Sequence, residues 1–147
     1  MNADHEDLNE LLRDVLAHGR THGLAALNPS QRIAFLILEL DAYAREEQLQ
    51  GFYAGPYGGR ADVLVESLEA IGALQSGALM RRANALFPGG RPSSDLRERQ
   101  AALQAFDEPS QRSLHEIGRE FLTDYDTLSQ RLHAFAREKR EALVAGL

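Results

Sequence analysis

Leu8, Leu11, Leu12, Val15 and Leu16 recur three and four positions apart, the spacing that lines one face of a helix. Asp4, Glu6 and Asp7 stand in the first turn, where the helix dipole favours negative charge, and Gly19 is placed to stop it. After a short turn through Leu24 and Leu27, Asn28-Pro29-Ser30-Gln31 opens a second helix. Asn is a good N-cap, Pro suits the first helical position, and Gln31 completes a capping box. Ile33, Leu36, Ile37, Leu40 and Ala44, with Phe35 and Leu38, make this helix apolar on more than one face, as expected of the centre of a bundle.

Further along, Leu64, Leu68 and Ile71 mark a helix ending at Gly72, and Leu79, Ala83, Leu86 and Phe87 mark one ending before Pro88-Gly89-Gly90. Ser94 precedes a helix carrying Leu96, Leu103 and Phe106, and Pro109 opens one carrying Leu114, Ile117 and Phe121. Leu128, Leu132, Phe135, Leu143 and Val144 mark a long C-terminal helix. No stretch alternates as a strand does. The pattern predicts an all-α, single-domain bundle of about seven helices over residues 1–147, with a Gly/aromatic loop after the long central helix.

That loop, GFYAGPYGGR over residues 51–60, concentrates glycines and aromatics between two helices. Its glycines do not fit a dinucleotide or P-loop spacing, no Gly-Lys-Ser/Thr is present, and it follows a helix where both fingerprints require a strand. Glycine's tolerance of positive φ and the fixed φ of Pro56 describe a tight reversal instead. Gly51, Phe52, Tyr53 and Tyr57 then form a structural plug, with Phe52 and one tyrosine folded back onto the bundle.

Candidate chemistry fails motif by motif. His115-Glu116 begins like a zinc-protease helix, but the second ligand position holds Arg119. His18 and His22 have a ligand-like separation, yet no third ligand is indicated, and they read as solvated histidines. Ser76-Gly77 lacks the earlier glycine of a nucleophile elbow, with Leu74 in its place. The expectation is a protein that is not an enzyme, with no catalytic residue, metal or cofactor.

Composition narrows the class of partner. The 147 residues are 44% hydrophobic and 26% charged, contain no cysteine and no run near the roughly 20 apolar residues of a membrane helix, which suggests a cytoplasmic chain. The net charge of −6 is uneven. Residues 1–79 carry twelve acids against five bases, whereas residues 80–147 carry ten against eleven. The acidic half would repel nucleic acid and favour a basic protein. Asp62, Glu66 and Glu69 form one stripe at helical spacing. Glu116, Glu120 and Asp124 form a second, which Arg112 and Arg119 would partly neutralise.

Glu46-Glu47, then Gln50-Gly51-Phe52, a glycine-containing loop, Leu68-Glu69-Ala70-Ile71-Gly72-Ala73, and Ala83 with Leu86-Phe87-Pro88 follow one another in an order that resembles the bacterial helical family typified by the neisserial DNA-mimic protein. The resemblance spans residues 24–139, leaving residues 1–23 as an added N-terminal element. Leu49 and Gln50 stand where Asn and the first Gly are usual. It implies an all-α fold and, from the best-known member, a homodimer whose carboxylates imitate DNA phosphates and occupy a basic DNA-binding or other regulatory protein. It implies no direct contact with nucleic acid or membrane. The alternative is a binding module or immunity-type protein for another protein partner, or a structural domain.

Overall fold

The computed structural model describes residues 3–46 and 48–147; Glu47 and the side chain of Asp4, which entered the readings above, lie outside the described residues. Nine α-helices and no strand are found there. In chain order they are α1 (Ala3–His22), α2 (Pro29–Glu46), α3 (Gln48–Ala54), α4 (Ala61–Ala70), α5 (Leu74–Asn84), α6 (Leu96–Gln104), α7 (Glu108–Thr123), α8 (Tyr125–Glu138) and α9 (Arg140–Val144). The all-α bundle expected from the pattern is present. The count exceeds about seven because residues 48–54 add a short helix and the C-terminal helix breaks at Lys139 (φ −104°, ψ 21°).

The central helix is α2, which packs against α1, α3, α4, α7 and α9. Its capping box forms as expected. The Gln31 amide donates to Asn28 Oδ1 and the Asn28 amide to Gln31 Oε1, both at 2.9 Å. The same two side chains reach across the fold: Asn28 Nδ2 donates to the Ala142 carbonyl at 2.8 Å, and Gln31 Nε2 donates to those of Leu143 and Ala145 at 3.0 and 2.9 Å. Carbonyls left over at the end of α9 are thus satisfied by the start of α2.

Gly19 does not stop α1, which runs on to His22 and ends at Gly23 with φ +89°. Its lack of a side chain serves packing: a Cβ there would lie 2.5 Å from Cδ1 of the Phe35 ring. Gly72 and Ala73 close α4 as the pattern indicated. With Gly72 at φ +81°, the two amides donate to the Glu69 and Leu68 carbonyls at 3.0 and 2.9 Å.

The glycine and aromatic segment begins as helix rather than loop, because α3 carries Gly51, Phe52 and Tyr53 before the chain turns at residues 55–57. Phe52 and Tyr53 are fully buried, while Gly51 and Tyr57 are half-buried. Tyr43, Phe52, Tyr53, Phe87 and Phe106 touch in succession, with centroids 6.4, 5.7, 4.8 and 5.0 Å apart and edge-on or tilted rings. The Tyr53 hydroxyl donates to Asn84 Oδ1 at 2.5 Å, and burial pushes its pKa well above the ordinary phenol value.

Leu96, expected to face the core from α6, is 43% exposed, and the buried side chain of that helix is Arg99, 1% exposed. Its Nε donates to the Tyr53 carbonyl at 2.6 Å, Nη2 to that of Gly55 at 2.8 Å and Nη1 to that of Ser93 at 2.8 Å; Gln100 Nε2 takes the Ala54 carbonyl at 3.0 Å. Gly58 makes room, since a Cβ there would sit 2.5 Å from Arg99 Nε and 2.6 Å from the Tyr53 oxygen.

Urea unfolding tests this assembly. Phe52→Ala should cost about 3–5 kcal/mol through lost burial and a cavity. Gly58→Ala should cost about 1–3 kcal/mol by overpacking. The exposed Arg60→Ala should stay within about 0.5 kcal/mol. Equal, small effects for all three would show that the segment is not a plug.

Candidate functional site

Helix α4 is amphipathic, and its two faces separate charge from core. Leu64, Val65 and Leu68 are buried, with Ile71 just beyond the helix end, while Asp62, Glu66 and Glu69 stand exposed on the other side. These carboxylates follow at four and three residues, so neighbouring side chains leave the helix about 5–6 Å apart. Val63, 43% exposed, lies among them.

Helix α5 returns beside α4. At Gly77 a Cβ would meet Glu69 Cγ at 3.4 Å and Leu68 Cβ at 3.7 Å, so the two helices pass closely. On its far side α5 meets α7 running antiparallel: Ser76 Oγ donates to Asp124 Oδ2 at 3.5 Å, and Arg82 Nη1 to Glu120 Oε2 at 3.3 Å. The exposed residues of α5 are Leu74, Gln75, Ala78, Arg81 and Arg82, a single ridge between the two acidic stripes.

The stripes are therefore separated by positive charge. Arg81 Nη2 reaches Glu69 Oε2 at 2.7 Å on one side, and Arg82 reaches Glu120 on the other. Glu116 and Glu120 are exposed on α7, but Asp124 is not a third member of their row. It sits half-buried at the junction of α7 and α8, turned toward Ser76. Nor does Arg112 neutralise that row, because its Nη2 pairs with Glu108 at 3.3 Å one turn earlier. The spacing of α7 showed the charges there; the neutralising arginine comes from α5, 38 residues away in the chain, where helical periodicity carries no information.

A second polar constellation had no sequence signal. Glu39, on the buried face of α2, is 2% exposed, and both its oxygens are taken by Arg20 from the last turn of α1: Nε to Oε2 at 2.9 Å and Nη2 to Oε1 at 3.1 Å. The bond to Glu39 raises the Arg20 pKa above its ordinary value. Such a forked pair holds a buried carboxylate in place at the cost of desolvating it.

On α8, His133 is nearly buried, with Nδ1 2.7 Å from the Ser129 carbonyl and Nε2 2.7 Å from Asn9 Oδ1, and it stacks on His5 at 4.2 Å. His18 and His22 lie 4.6 Å apart on α1. Among the described residues no group of three or more His, Cys, Asp or Glu is placed to hold a metal ion, and no helix is long and apolar enough to cross a membrane.

Residues 25–139 match the DMP19-like protein family, and the chain belongs to that family. The match takes in α2 to α8 and excludes all of α1 and all of α9. No curated protein and no solved structure gives a match.

The Arg20 and Glu39 pair can be tested by a double-mutant cycle in urea. Arg20→Ala leaves the Glu39 carboxylate buried and unpaired, and because Arg20 is half exposed the cost should be about 1–3 kcal/mol. Adding Glu39→Gln should return part of that loss, since a neutral amide is cheaper to bury. Strict additivity would show that the two side chains do not act as a pair.

Proposed function

We propose that this member of the DMP19-like family is a non-enzymatic interaction domain whose α4 carboxylates take the place of DNA phosphates on a basic, DNA-binding partner protein. The observation that carries the reading is the exposed row of Asp62, Glu66 and Glu69, held opposite the buried leucines of a helix that is itself fixed in the core. A rigid helix presents these charges without the ordering cost a loosely held segment would pay. Their separation is near that of successive phosphates on a strand, so arginines and lysines shaped to follow DNA meet a similar ladder. Family membership and the acidity of the first half of the chain support the same partner chemistry.

The arginines of α5 set the limits of the surface. Exposed ion pairs such as Arg81 with Glu69 are worth only about 0–1 kcal/mol, so a partner's basic side chains can displace Arg81 at little cost. Glu116 and Glu120 are a weaker second row because Arg82 lies against Glu120. Leu74, Val63 and Leu122, at 66%, 43% and 38% exposure on the same three helices, favour a second reading, an ordinary protein-binding module that uses apolar contact and is indifferent to DNA.

Competition separates the two. With a basic protein captured from host lysate at low salt, Asp62→Asn, Glu66→Gln and Glu69→Gln together should leave the fold intact, weaken binding by about tenfold or more and flatten its salt dependence. Duplex DNA should displace the wild-type chain from that protein. Binding of DNA and this chain at the same time, without mutual weakening, would rule out mimicry and leave the module reading. Arg81→Ser with Arg82→Ser should act in the opposite sense and tighten the complex, because it uncovers Glu69 and Glu120.

A further inference from the structure

Away from the α4 face, the last turn of α1, one side of α2 and the turn at residues 55–57 border an open hollow of about 440 Å3, within the size range of small-ligand pockets. Glu39, Tyr43 and Glu46 line it from α2 at intervals of four and three residues, one helix face; Arg20 closes one side, and Pro56 and Tyr57 the other.

The walls are fixed by packing. Tyr57 stands edge-on to Phe35, with centroids 5.1 Å apart, and Tyr43 contacts Phe52 in the same manner at 6.4 Å. Gly55 admits the Tyr43 hydroxyl, since a Cβ at that position would meet Tyr43 Oη at 3.0 Å. Here the glycine of the turn clears space for a wall of the hollow rather than for a change of backbone direction.

The lining carries two carboxylates against one guanidinium. Arg20 occupies both oxygens of Glu39 but leaves Glu46, which is exposed at the rim, unmatched within the hollow. Burial and then Glu39 raise the Tyr57 pKa above its ordinary value, and the rings of Tyr43 and Tyr57 offer aromatic surface beside negative charge. That combination repels anions and attracts a planar cation, which gains from ring and carboxylate together.

We propose that this hollow receives an arginine side chain of a protein partner, seated against Tyr43 and Tyr57 and paired with Glu46. The inference rests on the reading above only in requiring a partner with basic side chains, and it places a contact outside the α4 row. Arg20 is then the fixed neighbour that keeps Glu39 satisfied whether the seat is filled or empty.

The probe is blocked arginine (N-acetyl, C-terminal methylamide) titrated into the full-length isotope-labelled chain by NMR, with blocked citrulline as the uncharged isostere. Arginine should give saturable shifts at Tyr43, Glu46 and Tyr57, with a dissociation constant on the order of millimolar. Citrulline should bind about fivefold more weakly or not at all. Glu46→Gln, an exposed change whose spectrum reports its own folding, should weaken arginine binding by about two- to fivefold. The Asp62, Glu66 and Glu69 triple variant should bind arginine as the wild type does. Equal binding of citrulline, indifference to Glu46→Gln, shifts that map to α4, or no saturation would each overturn the proposal. A triple variant that loses its basic partner yet keeps arginine binding leaves the hollow standing. A chain that keeps DNA competition but shows no arginine site leaves the α4 reading standing.

Discussion

A helix of seven residues cannot satisfy its own last carbonyls, and α3 ends at a partly buried turn with the Tyr53 carbonyl inside the protein. The carbonyls of Tyr53, Ala54 and Gly55 are met instead by two consecutive side chains of α6, Arg99 and Gln100. Leaving buried acceptors unpaired would cost about 1–3 kcal/mol each, which explains why an arginine is carried into the core. Burial pulls the Arg99 pKa below its ordinary value and Asp95 works against that pull. The rest follows from this contact. Gly58 must lack a side chain for the guanidinium to pass, Tyr53 is held where it reaches Asn84, and the aromatic line from Tyr43 to Phe106 ties α2 and α3 to the segments after α5 and after α6.

The exposed faces obey a different economy. Ion pairs across α4, α5 and α7 lie in water, where attraction is screened and side-chain ordering offsets most of the gain. They shape the potential of the surface more than its stability, so the alternation of acidic row, basic ridge and acidic row can be rearranged by a partner without strain on the core. The Arg20 and Glu39 pair is of the other kind, because a carboxylate 2% exposed must keep its partner. One protein thus holds exchangeable charges on its α4 face and a committed pair beside the hollow.

Much of the fold was legible because it rests on local rules. The Asn28 and Gln31 capping box, the Gly72 stop, the amphipathic faces of α4, α7 and α8 and the burial of Phe52 are consequences of spacing within one element. The exposure of Asp62, Glu66 and Glu69 followed from the same periodicity. Local rules misled where a residue's role lies across the fold. Gly19 has the look of a helix stop but is clearance for Phe35, and Arg99 occupies what reads as a polar position of a weakly apolar helix.

By itself, then, the sequence determined that this chain is helical, where most of its helices begin and end, which face of each is apolar and that its acidity is concentrated in the first half, because each of these depends on residues within a turn or two of one another. Only the tertiary structure decided which charges meet. That Arg82 lies against Glu120, that Asp124 turns inward to Ser76, that Arg20 closes on Glu39 and that Arg99 finishes α3 all depend on helices brought together by burial of their apolar faces. The hydrophobic effect that drives this assembly is nondirectional, so it names no partner in advance; close packing then selects which polar side chains end up within reach.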